Sequence, residues 1–115
     1  METLKEKIDY AAERFGFEAI SNQLIEEMAE LTKALCKLNR FKGLGQPIPK
    51  EISTATIVDS IIEEIADTKV VLEQMIHLMD AEHQVSEIMK VKMQRTYARM
   101  GWNEGRKNDG TKSGT

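Results

Sequence analysis

Apolar residues recur along the chain at the three- and four-residue intervals of an α-helix, in stretches separated by glycine, proline or small polar residues. Thr3 to about Arg14 reads as a short first helix, with Leu4, Ile8, Tyr10, Ala11, Ala12 and Phe15 as its apolar contacts and Gly16 as its stop. A second helix is predicted from Phe17 to about Asn39. Its residues Phe17, Ile20, Leu24, Met28, Leu31, Leu35 and Leu38 fall within an arc of about 80° at ~100° per residue, one apolar stripe. Gly43, Gly45, Pro47 and Pro49 make residues 41–52 a connecting loop. Ser53 or Thr54 is placed to cap a third helix running to about Met79, and a fourth is predicted to end near Met100. Residues 80–83 read equally as a turn or as a continuation between the two. After Gly101 the chain is polar and glycine-rich, so one all-α domain is expected over residues 1–102, with a flexible tail over 103–115.

Composition narrows the function classes. The 115 residues suffice for one ordinary domain. Nineteen acidic against sixteen basic side chains give a net charge of -3, which argues against a surface that coats a nucleic acid polymer. The single cysteine, Cys36, forms no intramolecular disulfide, and no Cys/His cluster has zinc-ligand spacing, so a reducing, cytoplasmic setting is expected. METLKEKIDY lacks the apolar run of a signal peptide, and no stretch approaches the ~18 apolar residues of a membrane span.

The chemistry lies in the carboxylates. Glu27 and Glu30 on the second helix, and Glu64 and Asp67 on the third, are acidic pairs spaced i and i+3, each pair on one helical face, with Glu26 and Glu63 beside them. Glutamates on helices are ordinarily solvated surface charges. Here, however, Glu27 projects at the margin of its helix's apolar stripe, roughly 60° from the centre at Leu24, with Glu30 about 60° further round. Glu64 points within about 20° of Ile57, Val71 and Met75, so it sits among apolar positions. Carboxylates brought into one interhelical space repel one another and lose hydration unless protons or a cation compensate them. A hard cation does this economically, and Mg²⁺ commonly rests on a few carboxylates plus substrate phosphate oxygens.

The stretch Ile25-Glu26-Glu27-Met28-Ala29-Glu30-Leu31, followed by Glu63-Glu64-Ile65-Ala66-Asp67, resembles the paired Glu-x-x-Glu and Glu-x-x-Asp motifs of the MazG-like all-α nucleoside triphosphate pyrophosphohydrolases, over residues 17–102. The resemblance implies a four-helix-bundle-like fold that assembles as a dimer or tetramer. It implies Mg²⁺, with Mn²⁺ as a substitute, held by Glu27, Glu30, Glu64 and Asp67. Glu26 and Glu63 would assist water activation or orient the metal ligands. The segment between the motifs is longer than in many compact members, the insertion being the Gly/Pro loop at residues 41–52, which leaves the nucleobase preference open.

Lys90, Lys92, Arg95 and Arg99 form a basic run on the last helix, in which Lys92, Arg95 and Arg99 share a face. They suit either a solvated surface with ion pairs or the substrate phosphates beyond the metal. His77 and His83 lack matching ligands and read as satisfied or solvent-facing. Asp80 and His83 form a lone D-x-x-H, whereas a di-iron bundle needs two Glu-x-x-His elements. Phe41, Tyr97 and Trp102 read as packing residues, although each could stack on a base. The function that the resemblance implies is Mg²⁺-dependent hydrolysis of a nucleoside triphosphate between its α and β phosphates, giving a monophosphate and pyrophosphate, in nucleotide-pool cleaning or control. The alternatives are phosphoribosyl-ATP pyrophosphohydrolase chemistry and a noncatalytic helical interaction module. The apolar positions of the third helix spread over roughly 200°, more than one neighbouring helix covers, so self-association is expected as well.

Overall fold

In the computed structural model, which describes residues 1–42, 45, 47 and 53–101, the chain is helical: α1 (Leu4–Phe15), α2 (Phe17–Lys42), α3 (Thr54–Leu78) and α4 (Glu82–Arg99). Among the described residues there is no strand. The ends of the helices follow from local chemistry. Thr3 caps α1 in a reciprocal box: its hydroxyl accepts from the Glu6 N–H at 3.0 Å, and its own N–H donates to the Glu6 carboxylate at 2.8 Å. Gly16, at φ 89°, takes the backbone out of α1 and into α2. Ser53 caps α3 by accepting from the Thr56 N–H at 3.0 Å. At the other end of α3, Asp80 adopts φ 51°, the left-handed region that Asp tolerates better than most residues, and donates its N–H to the His77 carbonyl. The break between α3 and α4 is thus confined to residues 79–81, with His83 already in α4, and Asp80 and His83 do not share one helix.

α2 continues through Arg40, Phe41 and Lys42, beyond the expected end at Asn39, because no helix breaker precedes Gly43. The remainder of the expected loop, apart from residues 45 and 47, and the expected tail with Trp102 lie outside the described residues.

The contacts divide the chain into two compact units, Met1–Asp80 and Ala81–Thr115. In the first, α2 and α3 make the most extensive pairing and α1 lies against both. They run antiparallel: the Thr68 hydroxyl donates to the Glu27 carbonyl at 3.3 Å, while Ala34 and Lys37, further along α2, meet Thr56, Ile57 and Ser60, earlier on α3. The core consists of Ile8 and Ala12 from α1, Ile20 from α2, and Ile57, Ile61 and Val71 from α3. Gln74 is buried with them and donates to the Ile8 carbonyl at 3.4 Å. His77 reaches α1 as well, with Nε2 2.8 Å from Glu13 and Nδ1 3.6 Å from Asp9, so this histidine is satisfied by carboxylates.

The apolar stripe of α2 is only partly covered. Leu24, Leu31 and Leu38 are half-buried, whereas Phe17, Met28 and Leu35 are exposed. On α3, Ile62 and Ile65 are 58% and 48% exposed, which leaves apolar surface on this helix beyond what α1 and α2 cover. In the second unit, α4 buries no residue, and it exposes Ile88, Met89, Val91 and Met93. No described helix is long and apolar enough to cross a membrane.

Candidate metal centre

The antiparallel pairing of α2 with α3 brings Glu27 opposite the Glu64–Asp67 turn. One carboxylate oxygen from each of Glu27, Glu64 and Asp67 lies within 4.8 Å of the others. Glu27 and Glu64 are half-buried and Asp67 is exposed, so the cluster is partly open to solvent. The periodicity that placed Glu64 among apolar neighbours has its counterpart in the structure, since Ile57 and Val71, one heptad before and after it, are both buried.

Glu64 is the most constrained member. Its Oε2 is sealed from solvent and has no hydrogen-bond partner among the described residues. A buried oxygen in that condition forfeits its hydration without replacement. Burial accordingly pushes the Glu64 carboxyl above the usual carboxylate range, and the negative charges of Asp67, Glu27, Glu30 and Glu63 push it the same way. Glu27 is held differently: Gln23, one turn earlier on α2, donates its side-chain N–H to Glu27 Oε2 at 2.6 Å. The Thr68 hydroxyl, next to Asp67, fastens the two helices at the same level through the Glu27 carbonyl.

The sequence-predicted residues thus separate into groups. Glu27, Glu64 and Asp67 converge. Glu30 is exposed and outside that trio, although its charge acts on Glu64. Glu26 and Glu63 are exposed, and Glu63 also acts on Glu64 through its charge. On α4, Lys92 and Arg95 line a shallow groove with Glu87, Ile88 and Val91. Arg99 donates to the Thr96 hydroxyl at 3.4 Å, and Lys90 pairs with Glu87 at 3.0 Å. Gln23 was not legible as a site residue from the sequence; the only available signal was its position four residues before Glu27 on one helical face.

Three oxygen donors from two helices, one buried and unpartnered, suit a hard divalent cation of the Mg²⁺ or Mn²⁺ kind, which takes oxygen ligands and retains water on its open side. The trio contains no nitrogen or sulfur donor that would favour a softer metal. The chain matches no family model, no curated protein and no solved structure.

Proposed function

We propose that this protein hydrolyses a nucleoside triphosphate between the α and β phosphates in a Mg²⁺-dependent reaction, releasing a nucleoside monophosphate and pyrophosphate. The observation that supports this reading most is the convergence of Glu27, Glu64 and Asp67 around a buried carboxylate oxygen without a partner. Together with the paired Glu-x-x-Glu and Glu-x-x-Asp spacing, it makes a phosphate-directed metal site the economical account.

In this reading Glu27, Glu64 and Asp67 hold the cation, with Glu30 joining from the next turn of α2. Bound there, Mg²⁺ supplies charge neutralisation for the polyphosphate and acidifies a water. Gln23 keeps Glu27 oriented, and the inner oxygen of Glu64 is shielded from solvent. Glu63 and Glu26, both exposed, are the carboxylates we assign to accept a proton from the attacking water. The cationic face of α4, with Lys92, Arg95 and Arg99, is proposed to bind phosphate oxygens on the strength of its charge alone. We further propose that the exposed apolar face of α3, with Ile62 and Ile65, is covered by a second copy of the chain.

The test is pyrophosphate release from a panel of ribo- and deoxyribonucleoside triphosphates, with phosphoribosyl-ATP included, with and without Mg²⁺. Activity that needs Mg²⁺ and yields monophosphate and pyrophosphate supports the proposal. Release of orthophosphate alone, or no turnover with any member, contradicts it. Light scattering at micromolar concentration tests the second copy, and a monomeric mass would overturn that part.

A further inference from the structure

One to two turns from Glu64 along the α2–α3 seam, the lining changes sign. A cavity of about 140 Å³ is formed there by Ala34 and Lys37 of α2 with Thr56, Ile57 and Ser60 of α3. Ile57, buried, provides an apolar wall. The other described side chains that carry chemistry are the Lys37 ammonium and the Thr56 and Ser60 hydroxyls, and no carboxylate among the described residues lines the space. Lys37 is half-buried and has no ion-pair partner among the described residues. Thr56 Oγ1 lies 2.8 Å from Ser53 Oγ at the start of α3, which fixes its orientation.

The geometry relates this cavity to the carboxylate cluster. Ala34 follows Glu27 by seven residues and Ser60 precedes Glu64 by four, so they lie about 10 Å and 6 Å along their helix axes from the converging carboxylates. Lys37 is ten residues from Glu27 and Ile57 seven from Glu64, about 15 Å and 10 Å away along their helix axes. The volume is below the roughly 300 Å³ at which pockets begin to hold drug-sized molecules, but it equals several water volumes. It therefore suits a small, highly charged group and is too small for a nucleobase with its sugar.

We propose that this cavity is the subsite for the distal phosphate of the polyphosphate chain, with Lys37 as its charge partner and Ser60 and Thr56 as hydroxyl donors. The proposal rests on the reading of the neighbouring carboxylates as a metal centre. A polyphosphate laid along the seam has its metal-binding oxygens at Glu27, Glu64 and Asp67 and its terminal oxygens at Lys37. A monophosphate at the carboxylates does not reach Lys37. The seam thereby favours tri- over monophosphates by length and charge, independently of the base.

Calorimetric titration with inorganic tripolyphosphate, in the presence and absence of Mg²⁺, tests this without turnover. Lys37→Met retains most of the side-chain stem and removes the charge, Lys37→Arg restores a charge, and Ser60→Ala removes a hydroxyl. Lys37→Met is expected to weaken Mg²⁺-tripolyphosphate binding by about tenfold or more, the scale of a lost charge-assisted contact. Lys37→Arg should recover most of that loss and Ser60→Ala should weaken binding several-fold, while all three keep the wild-type affinity for Mg²⁺ alone. Unchanged tripolyphosphate affinity in Lys37→Met and Ser60→Ala overturns the subsite and leaves the metal centre standing. A wild-type protein that binds neither Mg²⁺ nor tripolyphosphate overturns both.

Discussion

Gln23 lies one turn before Glu27 on α2 and holds its Oε2 at 2.6 Å, whereas Glu64 Oε2, across the seam, is buried with no hydrogen-bond partner among the described residues. One glutamate of the cluster is thus oriented by its own helix, and the other is left to be satisfied from within the cluster. This asymmetry is what a ligand site requires. A carboxylate that must meet a cation in a fixed position benefits from a neighbour that limits its rotamers. In the proposed site the partner of the Glu64 oxygen is the cation.

Replacing Gln23 with Leu should leave the fold intact, because the side chain is exposed, and should loosen Glu27. Partners that orient metal ligands typically contribute 10–100-fold in affinity, so a drop of roughly tenfold in Mg²⁺ affinity is expected. Titration calorimetry reads it directly. Equal Mg²⁺ affinities in wild type and Gln23→Leu would show that the 2.6 Å hydrogen bond has no positioning role.

The raised Glu64 carboxyl makes the metal-free protein sensitive to pH in a definite direction. The unfolded chain releases this proton near the ordinary value of 4.5, and the folded chain releases it at higher pH. Between those values the native state holds the extra proton, so stability falls as pH rises through that window. Glu64→Gln should therefore gain stability relative to wild type as pH increases above about 4.5, with a smaller gain at high salt because the neighbouring charges are screened. Urea unfolding at several pH values without divalent cations checks this. A wild-type-minus-variant difference that stays flat with pH would contradict the electrostatic description of the cluster.

The docking of α1 on α3 rests on a buried amide more than on the surface ion pairs. Gln74 is 7% exposed and donates to the Ile8 carbonyl, while the Glu13 partner of His77 is 67% exposed. Exposed pairs contribute ~0–1 kcal/mol. Losing a buried side chain with its hydrogen bond costs about 2 kcal/mol. Gln74→Ala should accordingly destabilise the protein more than His77→Ala, as read by denaturant midpoint, and the reverse order would require a different account of the α1 contact.

Much of the helical layout is legible in the sequence because its signals are local. Thr3, Gly16 and Ser53 act at their own positions through caps and a backbone conformation. The carboxylate trio is legible for a related reason: residues spaced by three or four share a face wherever a helix forms, and Ile57 and Val71 mark which face of α3 turns inward. What depends on the rotation and register of one helix against another is not legible. Glu30 has the same motif standing as Glu27, yet the α2–α3 crossing puts Glu27 in the trio and leaves Glu30 exposed. For the same reason Met28 and Leu35 lie on the predicted stripe but remain exposed. The pairing of His77 with Glu13 spans 64 residues, and no spacing rule reaches that far.

The most direct test of the account is thermal unfolding of wild type and of the Glu27→Gln, Glu64→Gln and Asp67→Asn variants, with and without Mg²⁺, alongside their rates of pyrophosphate release. Each amide retains shape and removes an anionic ligand. If the three carboxylates form a metal centre, the variants should be as stable as wild type or more so without Mg²⁺, since repulsion is relieved. Wild type alone should then gain stability steadily as Mg²⁺ concentration exceeds its dissociation constant, by about 2.7 kcal/mol at a hundredfold excess. Turnover should fall by orders of magnitude in every variant. Melting temperatures that are insensitive to Mg²⁺ in wild type, together with full activity in Glu64→Gln or Asp67→Asn, would contradict the metal centre and the function built on it.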